Sequence, residues 1–415
     1  MRPFRVVYVA SVLSGLGDAV ARLAVAVLVF QRSHSALLTA ASYALTYLPW
    51  LIWAGRLGAL GDRLAARPLL VGCDIYRAVL GAVLLVPGLP AGVVLLLAFG
   101  VALGEPAFGS SRSALVPELV SRSLYPTASA LMSTSAFIVR VIGLGVGGAL
   151  VAAAGARPAL AVDVLSFALS ALLIGAGLAG DPQAEGHPST RQVGGASDRR
   201  LPPSGLSLVR RDARLRWLVL VASVAACSGA VAESSAVLVA AQHGAGPRVA
   251  GLLAAALPLG FVVSMLLSSS LLSPHRRLQV LPGLTLLSAA GTIPVMFDPS
   301  IATVVALYAL AALGGGFQLT ANQLFVLAVP AAHRAKCFAV AQASLLSAQG
   351  IAITAAGAVQ SSVRATTVVG VVGLITTLLV ALLLLTRPDL TALLDEPASQ
   401  DAALHPSEPV GLPVP

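Results

Sequence analysis

Runs of about twenty apolar residues recur along this chain, separated by short polar loops, and no other feature narrows its fold as far. A helix needs about twenty mostly apolar residues to cross the hydrocarbon core of a bilayer. Twelve such spans are predicted, near 6–30, 37–57, 69–87, 91–111, 126–154, 158–180, 215–240, 248–272, 278–297, 300–325, 335–358 and 364–386. Barrel strands would alternate polar and apolar residues over about ten positions, and these runs do not. Hydrophobic residues make up 57% of the chain and charged residues 10%, against about 25% charged in an ordinary soluble domain. The expected class is an all-α integral membrane protein, embedded in a lipid bilayer.

The net charge of +9 suggests a polyanion partner until its distribution is read. With loops assigned alternately to the two sides, nineteen of the 26 Lys and Arg fall on the side of the amino terminus. Arg32, Arg157, Arg248 and Arg364 fall on the other side, one per loop, and Arg22, Arg77 and Arg140 lie within spans. This is the positive-inside bias. It orients the chain with both termini cytoplasmic, in a multi-pass arrangement at the cell membrane, and calls for no nucleic acid.

The segment 181–214 is the one long interruption, rich in Gly, Pro, Ser and Arg, and reads as a cytoplasmic linker with little order. It separates an N-terminal six-helix bundle, 1–180, from a C-terminal one, 215–386; the Pro-rich tail 387–415 is expected to be disordered and cytoplasmic. Leu115-Val116-Pro117 before span five is echoed by Ala328-Val329-Pro330 before span eleven, a weak repeat between the halves. Two related halves with a site at their interface are the architecture of alternating access.

Charges inside spans are costly and therefore informative. Asp18 and Arg22 stand four apart on one face of span one. They read either as a self-neutralising pair or as a proton-exchange site in which Arg22 lowers the proton affinity of Asp18 until cargo or a helix shift separates them. Arg140 in span five is a second candidate partner for Asp18, or a helix-interface residue. Asp163, near Arg157, reads as structural. Glu105, before Pro106, and Glu233, late in span seven, read either as solvated helix-end residues or as binding groups. Gly143, Gly147 and Gly148 permit close helix packing. Cys73, Cys227 and Cys337 show no disulfide framework or metal spacing. The only lysine, Lys336, follows Ala335, so a phosphate-binding Gly-Lys-Ser/Thr loop is missing and an ion gradient replaces ATP as the expected energy source. No cofactor is expected, and the absence of a nucleophile–base pair within the spans argues against an enzyme.

Several short motifs, in order, resemble the major facilitator superfamily, and within it the branch of enterobactin exporters and macrolide-efflux proteins. They are Leu16-Gly17-Asp18; the loop Gly58-Ala-Leu-Gly-Asp62-Arg63-Leu-Ala-Ala-Arg67 with Asp74 and Arg77; Arg112-Ser-Ala-Leu-Val-Pro117-Glu118; Gly143-Leu-Gly145-Val-Gly147-Gly148; Asp163-Val-Leu-Ser166-Phe167; and Val329-Pro330 through His333, Arg334 and Phe338. Ala65 and Pro68 stand where that family usually has a glycine and a base, and Leu144 where its antiporters usually have proline.

The resemblance implies a fold of twelve transmembrane helices in two pseudo-symmetric bundles, and a monomeric secondary transporter. Its spans one, four, seven and ten line a central cavity, which would gather Asp18, Arg22, Glu105, Glu233, Gln318, Asn322 and Gln323. It also implies an inner gate built from Gly58, Asp62, Arg63, Arg67 and Arg112, with Asp62 latching the outward-facing state. The expected function is proton-coupled efflux, as an antiporter, of a small and largely apolar molecule such as a drug, siderophore or secondary metabolite. An importer or facilitator of the same fold, and a non-transporting sensor or assembly protein, stay open at this stage.

Overall fold

The computed structural model describes residues 2–61, 65–121, 123–180, 205–329 and 333–390, with side chains at all of them except 2, 51–61, 126, 205, 274, 334 and 335. Before the linker lie α1 (Arg2–Ser33), α2 (Ala36–Gly61), α3 (Ala66–Leu84), α4 (Ala91–Leu119), α5 (Tyr125–Ala154) and α6 (Ala156–Gly177). After it come α7 (Gly205–Arg211), α8 (Ala213–Ser234), α9 (Ala236–Gln242), α10 (Pro247–Leu271), α11 (Pro274–Ala290), α12 (Ile301–Leu313), α13 (Phe317–Ala328), α14 (Arg334–Val359) and α15 (Ala365–Leu385). Short 3₁₀ turns occupy Ile293–Phe297 and Gly314–Gly316.

Among the described residues, ten helical stretches are long and apolar enough to cross a membrane. The stretches α2 and α3 are not among them; α3 carries Arg67, Asp74 and Arg77 within 19 residues. Four boundaries depart from the sequence reading. Span four continues to Leu119 rather than stopping at 111, because Leu115, Val116 and Leu119 have a core to enter. Span seven breaks at Ser235, and span ten breaks at the three glycines 314–316, which carry no Cβ and weaken an α-helix. The end of the linker is helical: Val209 of α7 is buried against the second set of helices, and Asp212 caps α8 by accepting from the Arg214 and Leu215 amides. The tail is described only to Leu390, which is itself buried; residues 391–415 lie outside the description.

Short connections reverse the chain at each loop. Residues near 34, 87, 155, 244, 299 and 362 therefore gather at one end, and those near 122, 180, 272 and 388 at the other. Helix α1 packs on α2, α4, α5 and α6, while α3 packs on α4 and α6. In the second set, α8 packs on α14 and α15, α10 on α12, and α11 on α12, α13 and α15. The sets meet chiefly through α5 with α10 and α2 with α14, and more lightly through α1 with α9 and α2 with α8.

The buried side chains show how the two sets meet. At the first end a single core runs through both, from Leu23, Tyr43 and Val151 to Val231, Leu253, Tyr308, Ile353 and Val369. At the other end there are two separate cores. Phe4, Leu70, Phe108, Leu115 and Ile174 form one in the first set. Trp217, Leu281, Phe325 and Cys337 form the other in the second set. The bundle is sealed at one end and split at the other.

Glycines allow the seal. A Cβ on Gly148 of α5 would lie 2.7 Å from Gly251 Cα of α10 and 2.8 Å from the Pro247 carbonyl oxygen. Backbone meets backbone there, so no side chain can move aside. Gly143 and Gly147 point elsewhere, at Ala19 and Val20 of α1. The glycine motif thus serves two interfaces rather than one.

Candidate functional site

The split opens onto a central cavity with two lobes that share Phe137 and Arg140. The first lobe, about 290 Å³, is built by α1, α2, α3, α4 and α5. Asp18, Arg22, Arg77, Glu105, Arg112 and Trp50 line it. The second lobe, about 460 Å³, lies against α8, α10, α13 and α14; Glu233, Phe261, Phe317, Gln318, Asn322, Gln342 and Gln349 face it.

Charge pairing in the cavity differs from the pattern expected along the chain. Asp18 does not bridge to Arg22. Its Oδ1 accepts from Nη2 of Arg77 at 2.5 Å, across α1 and α3. Arg77 is almost wholly buried and rests on the ring of Phe167, 4.1 Å from its centroid. That geometry joins a carboxylate and an aromatic face on one guanidinium, which desolvation makes strong. Arg22 lines both this lobe and a small adjoining cavity, and has no hydrogen bond or ion pair among the described residues.

Arg140 pairs with Glu233, not with Asp18. Its Nη2 donates to both carboxylate oxygens, at 2.8 and 2.7 Å. This bridge connects α5 of the first set to α8 of the second, next to the break at Ser235. The break is held by the second set itself: the Gln360 side-chain amide donates to the Ser235 hydroxyl at 2.7 Å, and the Gln242 side chain accepts from the Ala365 amide at 3.0 Å. Glu233 is 9% exposed and Arg140 35%. A carboxylate that deep requires the partner it has.

Asp163 is not a surface companion of Arg157. It is buried beside the Asp18–Arg77 pair and packs so closely on Gly17 that a Cβ there would lie 2.7 Å from its Oδ1 and 2.0 Å from the Ser166 hydroxyl. Asp74 lies behind them and accepts from the Ser170 hydroxyl at 2.5 Å. The motifs at 16–18, 74–77 and 163–167 thus converge on one buried polar knot.

The gate residues separate. Asp62 and Arg63 lie outside the described residues, and Gly58 is within α2 where surroundings are not described. Arg67 reaches from α3 to the end of α6, where Nε and Nη2 donate to the Gly175 carbonyl at 3.1 and 2.7 Å. Arg112 is not in a loop. Because α4 runs on to Leu119, Arg112 sits within the helix and faces the first lobe, with no ion pair among the described residues.

Gln318 and Asn322 do face the second lobe, whereas Gln323 accepts from Arg277 at 3.3 Å toward the split end. Sequence reasoning missed Gln342 and Gln349, whose spacing of seven puts them on one face of α14, and the Phe137–Phe261 ring pair, 4.6 Å apart across the two sets. It also missed how span ten is broken. The Ser264 hydroxyl donates to the Leu313 carbonyl and accepts the Gly316 amide at 3.1 Å, satisfying backbone groups that the 3₁₀ turn releases. Among the described residues no group of three His, Cys, Asp or Glu is placed to hold a metal.

The fold has known counterparts. A bacterial homologue of the iron transporter ferroportin, in an inward-facing state, superposes with a TM-score of 0.69 at 16% identity over 93% of this chain and 98% of that one. A peptide transporter, POT, in complex with sulfate gives 0.71 at 12% over 94% and 95%. A bacterial homologue of the human lysosomal transporter Spinster, inward-facing and unoccupied, gives 0.65 at 15% over 93% and 94%. No curated protein sequence matches the chain. The model of one family, described as "Transmembrane secretion effector", matches residues 1–412. The chain, a multi-pass membrane protein with the fold of major facilitator transporters, belongs to that family of transmembrane secretion effectors.

Proposed function

We propose that this protein is a secondary active transporter of the cell membrane that exports a small, largely apolar molecule by alternating access, driven by protons. In this reading it has twelve spans in two six-helix halves, and α2 and α3 complete the count. The observation that carries the reading is the partition of the core: one shared core at one end, two at the other, and a two-lobed cavity between. A bundle sealed and split in this way is one of the two states alternation requires. The arginine bias makes the split end cytoplasmic, so the state is inward-open.

Proton coupling is assigned to Asp18. It is a third exposed to the cavity while holding Arg77, so protonation of Asp18 would release a buried guanidinium and alter how α1 packs on α3. The test is a metabolite-export and drug-susceptibility screen of a deletion strain, followed by efflux of the compound found from proteoliposomes with an imposed pH gradient. Asp18→Asn is expected to abolish gradient-driven efflux while the protein still reaches the membrane. Unchanged gradient dependence in that variant removes Asp18 from the mechanism, and gradient-driven uptake in the opposite sense replaces export with import.

A further inference from the structure

The first lobe holds an unbalanced set of charges. Four arginines line it, Arg22, Arg77, Arg112 and Arg140, against two carboxylates, Asp18 and Glu105. Arg77 takes Asp18, and Arg140 takes Glu233 from the other lobe. Arg22 and Arg112 make no hydrogen bond or ion pair among the described residues. Glu105, the one other acid among the described residues lining the lobe, acts on Arg77 and Arg112 only through space, so the four arginines still exceed Asp18, Glu105 and Glu233 by one charge. Guanidinium groups are donor-only, so an excess of them in a partly desolvated cavity selects for an acceptor-only ligand group.

The two unpaired arginines lie at different depths. At 1.5 Å per residue, Arg112 is about 10 Å inside the split end of α4, and Arg22 about 30 Å along α1 from the same end. One head group cannot bridge them. They form a mouth and a floor, with the Asp18–Arg77 pair between. The second lobe is more apolar: Phe137, Phe261, Phe317, Leu257, Leu345 and Leu346 dominate, with neutral Gln and Asn side chains between and one charged pair, Arg140–Glu233, which neutralises itself.

We propose that the cargo is an anionic amphiphile, one carboxylate-like head on an apolar body, with Arg112 drawing the head in, Arg22 receiving it, and the body lying in the second lobe. This rests on the transport reading and narrows its substrate class. The mouth arginine acts through space on approach, as charged clefts do. The floor arginine acts by direct, charge-assisted hydrogen bonds.

The test uses the full chain in phosphatidylcholine nanodiscs, titrated with three probes of one shape: 1-naphthoate, 1-naphthalenemethanol and 1-naphthylmethylammonium, with empty discs subtracted. Naphthoate is expected to bind at least about tenfold tighter than either other probe, the scale of a hydrogen bond to a charged group. Arg22→Gln is expected to erase that preference while leaving naphthalenemethanol binding unchanged, and Arg22→Lys to keep part of it. Arg112→Gln is expected to lower the naphthoate association rate and its salt dependence more than its dissociation rate. Equal binding of the three probes, or preference for the ammonium, overturns the proposal. If Arg22→Gln does not fold, loss of naphthoate affinity with rising salt in the unmodified chain takes its place, and salt-independent binding counts against it. Spin-label distances across both ends of the bundle, recorded on the same discs, separate the two claims. Charge-blind binding with alternation intact sinks only the anion site, and selective binding without alternation sinks only the transport reading.

Discussion

Replacing Arg140 by Gln tests the bridge that links the two helix sets near the sealed end. Breaking a fully buried pair costs about 3–5 kcal/mol, because the remaining charge is stranded. An exposed pair is worth about 0–1 kcal/mol. Here the stranded group, Glu233, is 9% exposed and the lost partner 35%, which places the cost at about 2 kcal/mol, between those limits. The cost falls on the sealed state, since parting α5 from α8 would hydrate Glu233. At about 1.4 kcal/mol per factor of ten, the ratio of sealed to parted molecules should fall about thirtyfold. Labels on Arg32→Cys and Ser362→Cys, both exposed at the sealed end, would report this by pulsed electron resonance in a chain whose buried Cys73, Cys227 and Cys337 are replaced by Ala. A longer-distance population should grow in Arg140→Gln and shrink again in the swap Arg140→Glu with Glu233→Arg. If Arg140→Gln leaves the distances unchanged, or its effect simply adds to that of Glu233→Gln, the two residues are uncoupled and the latch argument fails.

Two further outcomes follow from the same packing. Gly148→Val places side-chain atoms where the Gly251 backbone now sits, so it should cost about 1–3 kcal/mol and lengthen the same Arg32–Ser362 label distance; an unaltered distance would mean that α5 and α10 do not seal by backbone contact. Ser264→Ala removes the hydroxyl that serves both Leu313 and Gly316 and should lower stability by about 1–3 kcal/mol. Thermal unfolding in detergent measures that loss, and an unchanged midpoint would show that the 3₁₀ turn is satisfied by other means.

Much of the site was visible as residue types out of place. Asp18, Arg22, Glu105, Arg140 and Glu233 stand out because charges inside apolar runs are rare. What their chain positions could not show was pairing. Asp18 has Arg22 four residues away on the same face, yet its partner is Arg77, 59 positions away. Arg140 reaches 93 positions to Glu233. Arg112 was misplaced for a related reason: hydropathy ends span four at 111, whereas packing of Leu115 and Leu119 carries the helix two turns further. The breaks at Ser235 and Gly314–Gly316 were likewise hidden, since apolar runs continue through both.

The amino-acid sequence by itself determined that the chain is a helical membrane protein, and which side groups are too costly to be in lipid without a purpose. Those are properties of local composition, set by the transfer energy of each residue and the length of a bilayer-spanning helix. Only the tertiary structure decided which arginine holds which carboxylate, which end of the bundle is sealed, and that Arg22 and Arg112 face the cavity with no ion pair among the described residues. Ion pairs and seals are made between helices, and their partners are chosen by how small residues such as Gly17, Gly148 and Gly251 let backbones approach, a choice that spacing along one helix does not encode.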